Sequence, residues 1–329
     1  MILVTGGTGF LGSHVLAKLA QENIPVRALK RETSSLYQTK RVFEYYNISH
    51  LFQQIEWING DLLNYSSLLE ATENVTHIFH AGAIVSFQKK DKKSVVSDNI
   101  KGTANLVNAA LTNKVKRFCH VSSVAALGVT EDESLIDETT QWKSKKSNSA
   151  YSIGKYYSEL HAWRGFAEGM TGIVVCPSIV IGQEDRFTGI SPLIYMVKKG
   201  LKYYPIGSNG FVDVRDVADI IVKLTLHTEI TNEKFIVNAE NLSYRNLLSV
   251  ISKVVIKPQP TKEASLFKLK MMYFIENILR TLKIKNSKMS LELIQLISRN
   301  YSYSNQKIRS AISFNFRSVE ESVKDSMKS

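Results

Sequence analysis

Short uninterrupted apolar runs recur along the first half of the chain, at residues 1–4, 24–29, 55–58, 75–80, 115–121 and 172–176. Between them lie segments of helical period, the clearest at 11–21, 95–112, 150–168 and 214–228. Runs without polar alternation predict strands buried on both faces. The helical segments are long enough to carry right-handed crossovers between neighbouring parallel strands. The rhythm therefore predicts an α/β fold, a doubly wound parallel sheet with helices on both faces. From about residue 183 it breaks into loops rich in Gly, Pro and Tyr, followed by helices at 244–255 and 289–299. A smaller C-terminal α/β lobe is expected there. The boundaries expected are a first unit over 1–182, with 211–239 returning to it, and a second from 183–210 and 240–329.

The first strand runs into TGGTGFLG, which sets Gly6, Gly9 and Gly12 three residues apart at the start of an apolar helix. Glycine there lets the backbone take unusual angles and approach a pyrophosphate, and the helix start offers free N–H groups and a positive dipole end. Between strand and helix, this spacing predicts a Rossmann dinucleotide site. The second strand, IPVRALKRETSS, decides the cofactor. An acidic residue at its end would bond the ribose hydroxyls of NAD, but Lys30 and Arg31 stand there, with Arg27 just before. Cations in that place suit a 2′-phosphate, so NADP is expected over NAD. Surface cations on a basic protein are the plainer reading. Asp61, after the third strand, could accept a bond from the adenine amino group or cap the next helix.

The stretch YSIGK puts Tyr151 and Lys155 on one face of a helix, one turn apart. A phenol is a poor base near neutrality, and a neighbouring ammonium is expected to draw its pKa down. The spacing alone is common, and its surroundings give it weight. About thirty residues upstream, CHVSSVAALG ends the fifth strand with Ser122 and Ser123 at the carboxyl edge of the sheet, where open α/β folds bind ligands. One hydroxyl could orient a substrate carbonyl, although serines also simply turn a chain. Pro177, directly after an apolar strand, cannot continue a central ladder and predicts a loop at the same edge.

Composition adds limits. The 329 residues suffice for a large core, and the 44% hydrophobic and 22% charged fractions are those of a globular chain. Cys119 and Cys176 each sit in an apolar run and read as buried thiols, not a disulfide or metal cluster. No secretion signal or membrane span is legible, so a cytoplasmic protein is expected. Residues 241–329 hold 16 Lys and Arg against 6 Asp and Glu, so +10 of the net +12 lies there. A solvated basic face is the expected meaning. Nucleic acid is an unlikely partner, and membrane-surface contact is possible but not favoured. The stretch 265–285 interleaves large apolar residues with cations and is expected to be a helix packed over the core.

Taken together, TGGTGFLG, GDLLN, HAGAIVSF (80–87), NIKGTANLV (99–107), HVSSVAALG, YSIGK, CPSIVIG (176–182) and FVDVRDVAD (211–219) resemble the extended short-chain dehydrogenase/reductases, within the NAD-dependent epimerase/dehydratase superfamily. The likeness is to dihydroflavonol reductases and 3β-hydroxysteroid dehydrogenases, and it spans about residues 1–255. It implies Ser123 as the catalytic hydroxyl, Tyr151 as general acid/base, Lys155 as its activator and holder of the nicotinamide ribose, and Asn99 as support for active-site backbone or water. Gly6, Gly9, Phe10, Leu11, Gly12, Lys30, Arg31, Asp61, Leu62, His80, Ala81, Gly82, Pro177, Ser178 and Val180 form the expected cofactor set. The expected reaction is hydride transfer between NADP(H) and a carbonyl or secondary alcohol of a small, partly apolar substrate, in a homodimer paired through 95–112 and 150–168. A nucleotide-sugar epimerase or dehydratase retaining NAD, and a nonenzymatic NADP sensor or nucleic-acid module, are the alternatives. Substrate contacts are expected from loops carrying Phe87, Phe187, Tyr195, Tyr203 and Tyr204.

Overall fold

The computed structural model describes all residues except 87, 131–132, 146–147, 183–189, 282–289 and 328–329. Its first half alternates strand and helix: β1 (Ile2–Thr5), α1 (Phe10–Gln21), β2 (Val26–Lys30), α2 (Tyr37–Tyr45), β3 (Glu56–Asn59), α3 (Tyr65–Ala71), β4 (His77–His80), α4 (Lys92–Thr112), β5 (Arg117–Val121), α5 (Ala150–Ala167) and β6 (Thr171–Pro177). Then come β7 (Ile179–Ile181), α6 (Ser191–Lys198), β8 (Tyr203–Pro205), β9 (Ser208–Asp213), α7 (Val214–Leu226), β10 (Glu233–Val237), β11 (Glu240–Ser243) and α8 (Tyr244–Val254). The chain ends through β12 (Lys262–Ala264), α9 (Leu266–Thr281), α10 (Leu291–Ile297), α11 (Gln306–Ile312) and α12 (Val319–Asp325).

Seven strands form one sheet in the order β10-β6-β5-β4-β1-β2-β3, every pair parallel. The order reverses beside β1, which opens a crevice at the carboxyl ends of the strands. Alternate side chains feed two cores. Val4, Phe79 and Cys119 join Leu16 and Ile220 on one face, whereas Leu3, Ile78 and Phe118 join Leu106 and Ala162 on the other. The sheet is thus a Rossmann sheet covered on both sides, and its central strands β1 and β5, buried throughout, show no polar alternation. Cys119 and Cys176 are buried free thiols in these cores.

Where a loop was expected after Pro177, the chain changes sheets. Pro177 occupies the last rung of β6 opposite Val237, and two residues later β7 starts a second sheet of order β11-β9-β7. A proline is tolerated on that last rung because Ser178 N–H supplies the bond to Val237 O at 3.0 Å. β8 and β12 make a separate two-stranded pair. The motif FVDVRDVAD builds the junction between these layers. Asp213 caps α7 by accepting from Arg215 N (2.8 Å), and the Arg215 guanidinium reaches Asp213, Asp325 and the Tyr45 hydroxyl.

Candidate active site

The glycine turn is held by close backbone approach. Gly6 has φ of 77°, and a Cβ there would lie 2.6 Å from Gly82 N and 2.7 Å from Ala81 C. A Cβ on Gly12 would lie 2.1 Å from Gly6 O, so α1 can start only if that position carries none. Gly9, at the N-cap of α1, provides no side chain to the first-turn N–H groups. Those unsatisfied donors and the dipole end fit a diphosphate. Gly12→Ala is therefore expected to cost about 1–3 kcal/mol of stability in urea unfolding, the range for forced overpacking. Cofactor quenching of tryptophan fluorescence should weaken with it.

Behind the turn, the His80 imidazole does not face the crevice. It is buried between the hydroxyls of Thr5 (2.7 Å) and Thr103 (3.0 Å), and burial pushes its pKa down to about 3. A neutral ring bridging β1, β4 and α4 carries the Ala81–Gly82 segment against Gly6. Leu62 wedges the same corner, with a methyl 3.1 Å from the Cβ position of Gly82 and its carbonyl taking a bond from Asn105. Asp61 keeps its own turn closed, accepting from Leu63 N at 2.8 Å.

Arg27 departs from the expectation. Its guanidinium is committed to Glu56 (2.7 Å) on the neighbouring strand and to the carbonyls of Ala71 and Glu73, away from the crevice. Lys30, at the end of β2, donates to Asn59 at 2.6 Å, and Arg31 is exposed in the turn that follows. Ser35 and Tyr37, just beyond, line the crevice together with Thr8 and Phe10 of the glycine turn. Nothing in the sequence marked Ser35 or Tyr37.

The two serines after β5 part company. Ser123 lines the crevice, and Tyr151 lines the same wall from the first turn of α5. Ser122 turns inward and donates to Glu159 Oε2 at 2.7 Å. Lys155, buried one turn beyond Tyr151, donates to the Val121 carbonyl at 2.8 Å. Burial lowers its pKa to about 8, against the pull of Glu159. Burial also raises the Tyr151 phenol, with the Ser123 hydroxyl working the other way. The expected lowering of the phenol by the ammonium is not seen: Lys155 is turned to the Val121 carbonyl, and burial prevails at Tyr151. Asn99 clamps the backbone after β4, its amide donating to Ile84 O at 3.0 Å and its carbonyl accepting Ile84 N at 2.7 Å.

Glu159 was not anticipated. It is 3% exposed, and besides Ser122 it receives Trp163 Nε1 (3.0 Å) and Lys234 Nζ (2.5 Å), the latter from β10. Its place four residues after Lys155, on the same helix face, was the available signal. At the far lip, Ser178 and Val180 line the crevice. The Ser178 hydroxyl, 6% exposed, has no hydrogen-bond partner among the described residues. An orphan hydroxyl in that place fits the carboxamide of a nicotinamide.

The crevice widens into a cavity of about 990 Å³. Its aromatic lining is not the set expected. Phe87 and Phe187 lie outside the described residues. Tyr195 and Tyr203 are exposed at 59% and 41%, Tyr204 lies under the Arg245 guanidinium, and none of the three lines the cavity. The walls are instead Trp142, Tyr301 and Tyr303, with Gln295 and Arg299 from the α10 region.

A Rossmann sheet with a diphosphate-ready turn and a hydroxyl–phenol pair in one crevice defines a nicotinamide-dependent enzyme. The sequence model of the NAD dependent epimerase/dehydratase family matches residues 2–239, and the chain belongs to that family as an NAD(P)-dependent oxidoreductase. A Synechocystis protein provisionally named dihydroflavonol 4-reductase is 31% identical over 270 residues, spanning 80% of this chain and 75% of that one. Cinnamoyl-CoA reductase 1 of Petunia hybrida is 26% identical over 274 residues, 80% of each chain. Among solved structures, gox2253 superposes with a TM-score of 0.82 at 27% identity, covering 99% of this chain and 96% of its own. UDP-glucose 4-epimerase of Thermotoga maritima shares the fold, with a TM-score of 0.76 at 18% identity and coverage of 99% and 96%. Among the described residues no helix is long and apolar enough to cross a membrane, and no group of side chains could hold a metal.

Proposed function

We propose that the protein is an NADP(H)-dependent reductase interconverting a carbonyl and a secondary alcohol on a small, partly apolar substrate, in the manner of dihydroflavonol reductases. The observation that carries this reading is the placing of Ser123 and Tyr151 together in the wall of the crevice. When bound, the reduced nicotinamide would supply the hydride. Ser123 and Tyr151 then grip the carbonyl oxygen, and the Tyr151 hydroxyl delivers the proton as alkoxide charge builds. Lys155 holds positive charge beneath them, and Asn99 fixes the backbone that closes the site. Gly6, Gly9, Phe10, Leu11 and Gly12 would seat the diphosphate, and Pro177, Ser178 and Val180 the carboxamide.

Trp142, Tyr301 and Tyr303 favour a flat or ring-bearing substrate, and Arg299 an oxygen-rich end to it. The reductase names of the Synechocystis and Petunia relatives agree with such a substrate. Fluorescence titration with NADPH and NADH, followed by a panel of aromatic aldehydes and ketones scored for NADPH oxidation, tests the reading. Tight, copurifying NAD with no net redox would favour an epimerase instead.

The NADP preference rests on Lys30 and Arg31 at the end of β2. Arg31→Ala is expected to weaken NADPH by roughly tenfold, the loss of one charge-assisted phosphate bond, and to leave NADH binding within about twofold. Parallel titrations of the two nucleotides against wild type and variant check it. Equal weakening of both would remove the 2′-phosphate from the argument.

A further inference from the structure

We infer that α9 is a docking surface for an anionic lipid membrane. The helix is covered on one side only. Leu269, 5% exposed, packs with Ala264 and Ile294, and Tyr273 and Ile297 adjoin them. The other side is bare: Phe267, Met271, Phe274 and Ile275 are exposed at 76%, 48%, 65% and 49%. Their spacing of i, i+4, i+7 and i+8 makes one continuous apolar ridge. The helix packs on the core as expected, but only through its Leu269 side. Among the described residues nothing covers the ridge, and a contiguous apolar patch of this kind marks an interaction site.

Charge selects the occupant. Lys268 and Lys270, both exposed, project on the two flanks of the ridge. Their aliphatic stems can lie along a lipid surface while the ammonium groups reach acidic headgroups. A second copy of the chain on the same ridge would set these lysines against their own kind. An anionic bilayer sets them against phosphates. The helix cannot span a membrane, so it would lie in the interface plane, apolar ridge down. α10 links this surface to the cavity, because Ile294 packs on α9 while Gln295 and Leu296 line the cavity wall.

The test is flotation of the full chain with vesicles of phosphatidylcholine alone and of phosphatidylcholine containing about one-third phosphatidylglycerol, at low salt and at roughly 0.5 M salt. Binding at least about tenfold greater to the anionic vesicles, weakened by salt, is expected. The double variant Phe267→Ser, Phe274→Ser should lose that binding by at least about tenfold while its cofactor titration is unchanged, since both side chains are exposed. Lys268→Glu with Lys270→Glu should lose it as well. Equal flotation with both vesicle types, or binding unaffected in the serine variant, overturns the inference. So does light scattering that shows a wild-type dimer dissolved by the serine pair, which would assign the ridge to a second copy.

Discussion

Tyr151→Phe is expected to lower turnover on an identified carbonyl substrate by about 10²- to 10⁴-fold, the usual contribution of a positioned general acid. The ring stays, so the packing at the start of α5 stays. What disappears is the phenol hydroxyl in the crevice wall it shares with Ser123. NADPH affinity should therefore hold within about twofold, and the loss should fall on kcat. Burial raises the phenol, which keeps Tyr151 protonated and ready to donate near neutrality. Lys155 behaves differently. With a pKa lowered to about 8, it carries its charge below that pH and gives it up above. Carbonyl reduction by the wild type should accordingly decline as pH rises past about 8, because the ammonium that offsets developing oxyanion charge is lost. A Tyr151→Phe enzyme within about threefold of wild type would remove the phenol from the chemistry.

Much of this site could be read from the chain because its parts are local. Gly6, Gly9 and Gly12 share one turn, and Tyr151 and Lys155 share one helix face. Local spacing fixes their geometry before any tertiary contact forms. What escaped the reading depends on register or on distant partners. Arg27 lies on the strand that was read as phosphate-binding, but the residue beside it, Glu56, is set by the pairing of β2 with β3. Residue chemistry alone does not separate Ser122 from Ser123, and only the family resemblance chose Ser123. They differ because strand alternation turns one toward Glu159 and the other toward the crevice. β10 was not singled out as a strand, since EKFIV is short and half polar. Yet it completes the main sheet and brings Lys234 to Glu159. The three-residue strands β8 and β12 carry no periodicity to find. For α9, interleaved Phe, Met and Lys fit either a buried or a bare helix, and only its one-sided packing on α10 separates the two.

Acid should destabilise the fold well above the pH at which carboxylates titrate, and two buried histidines on adjacent central strands would be the cause. His80 and His120 pair across β4 and β5, their rings 5.4 Å apart, at 2% and 1% exposure. Burial holds His80 to a pKa of about 3 and His120 well below the ordinary value, and Lys155 and Lys234 add positive charge around His120. Below about pH 6.5 the unfolded chain takes up two protons that the native state refuses. Stability is therefore full above that pH and falls as pH drops, by roughly 1.4 kcal/mol per pH unit for each ring. Between pH 6.5 and 4.5 the pair should cost on the order of 5 kcal/mol, a large share of an ordinary domain's stability. His77 and His161 are also lowered by burial but are less enclosed, and add in the same direction. Asp216, raised by burial, opposes them, while Asp137 and Asp213 are lowered and lose their contribution only below this window. Neither ring nitrogen of His120 has a hydrogen-bond partner among the described residues. His120→Phe should consequently be neutral or stabilising at pH 7, since it replaces two orphan polar atoms with a ring of similar shape. In urea unfolding at pH 7, 6, 5 and 4.5, the variant should lose stability with about half the wild-type slope. An unchanged slope would mean that His120 is protonated in the native fold, which its burial beside Lys155 and Lys234 argues against.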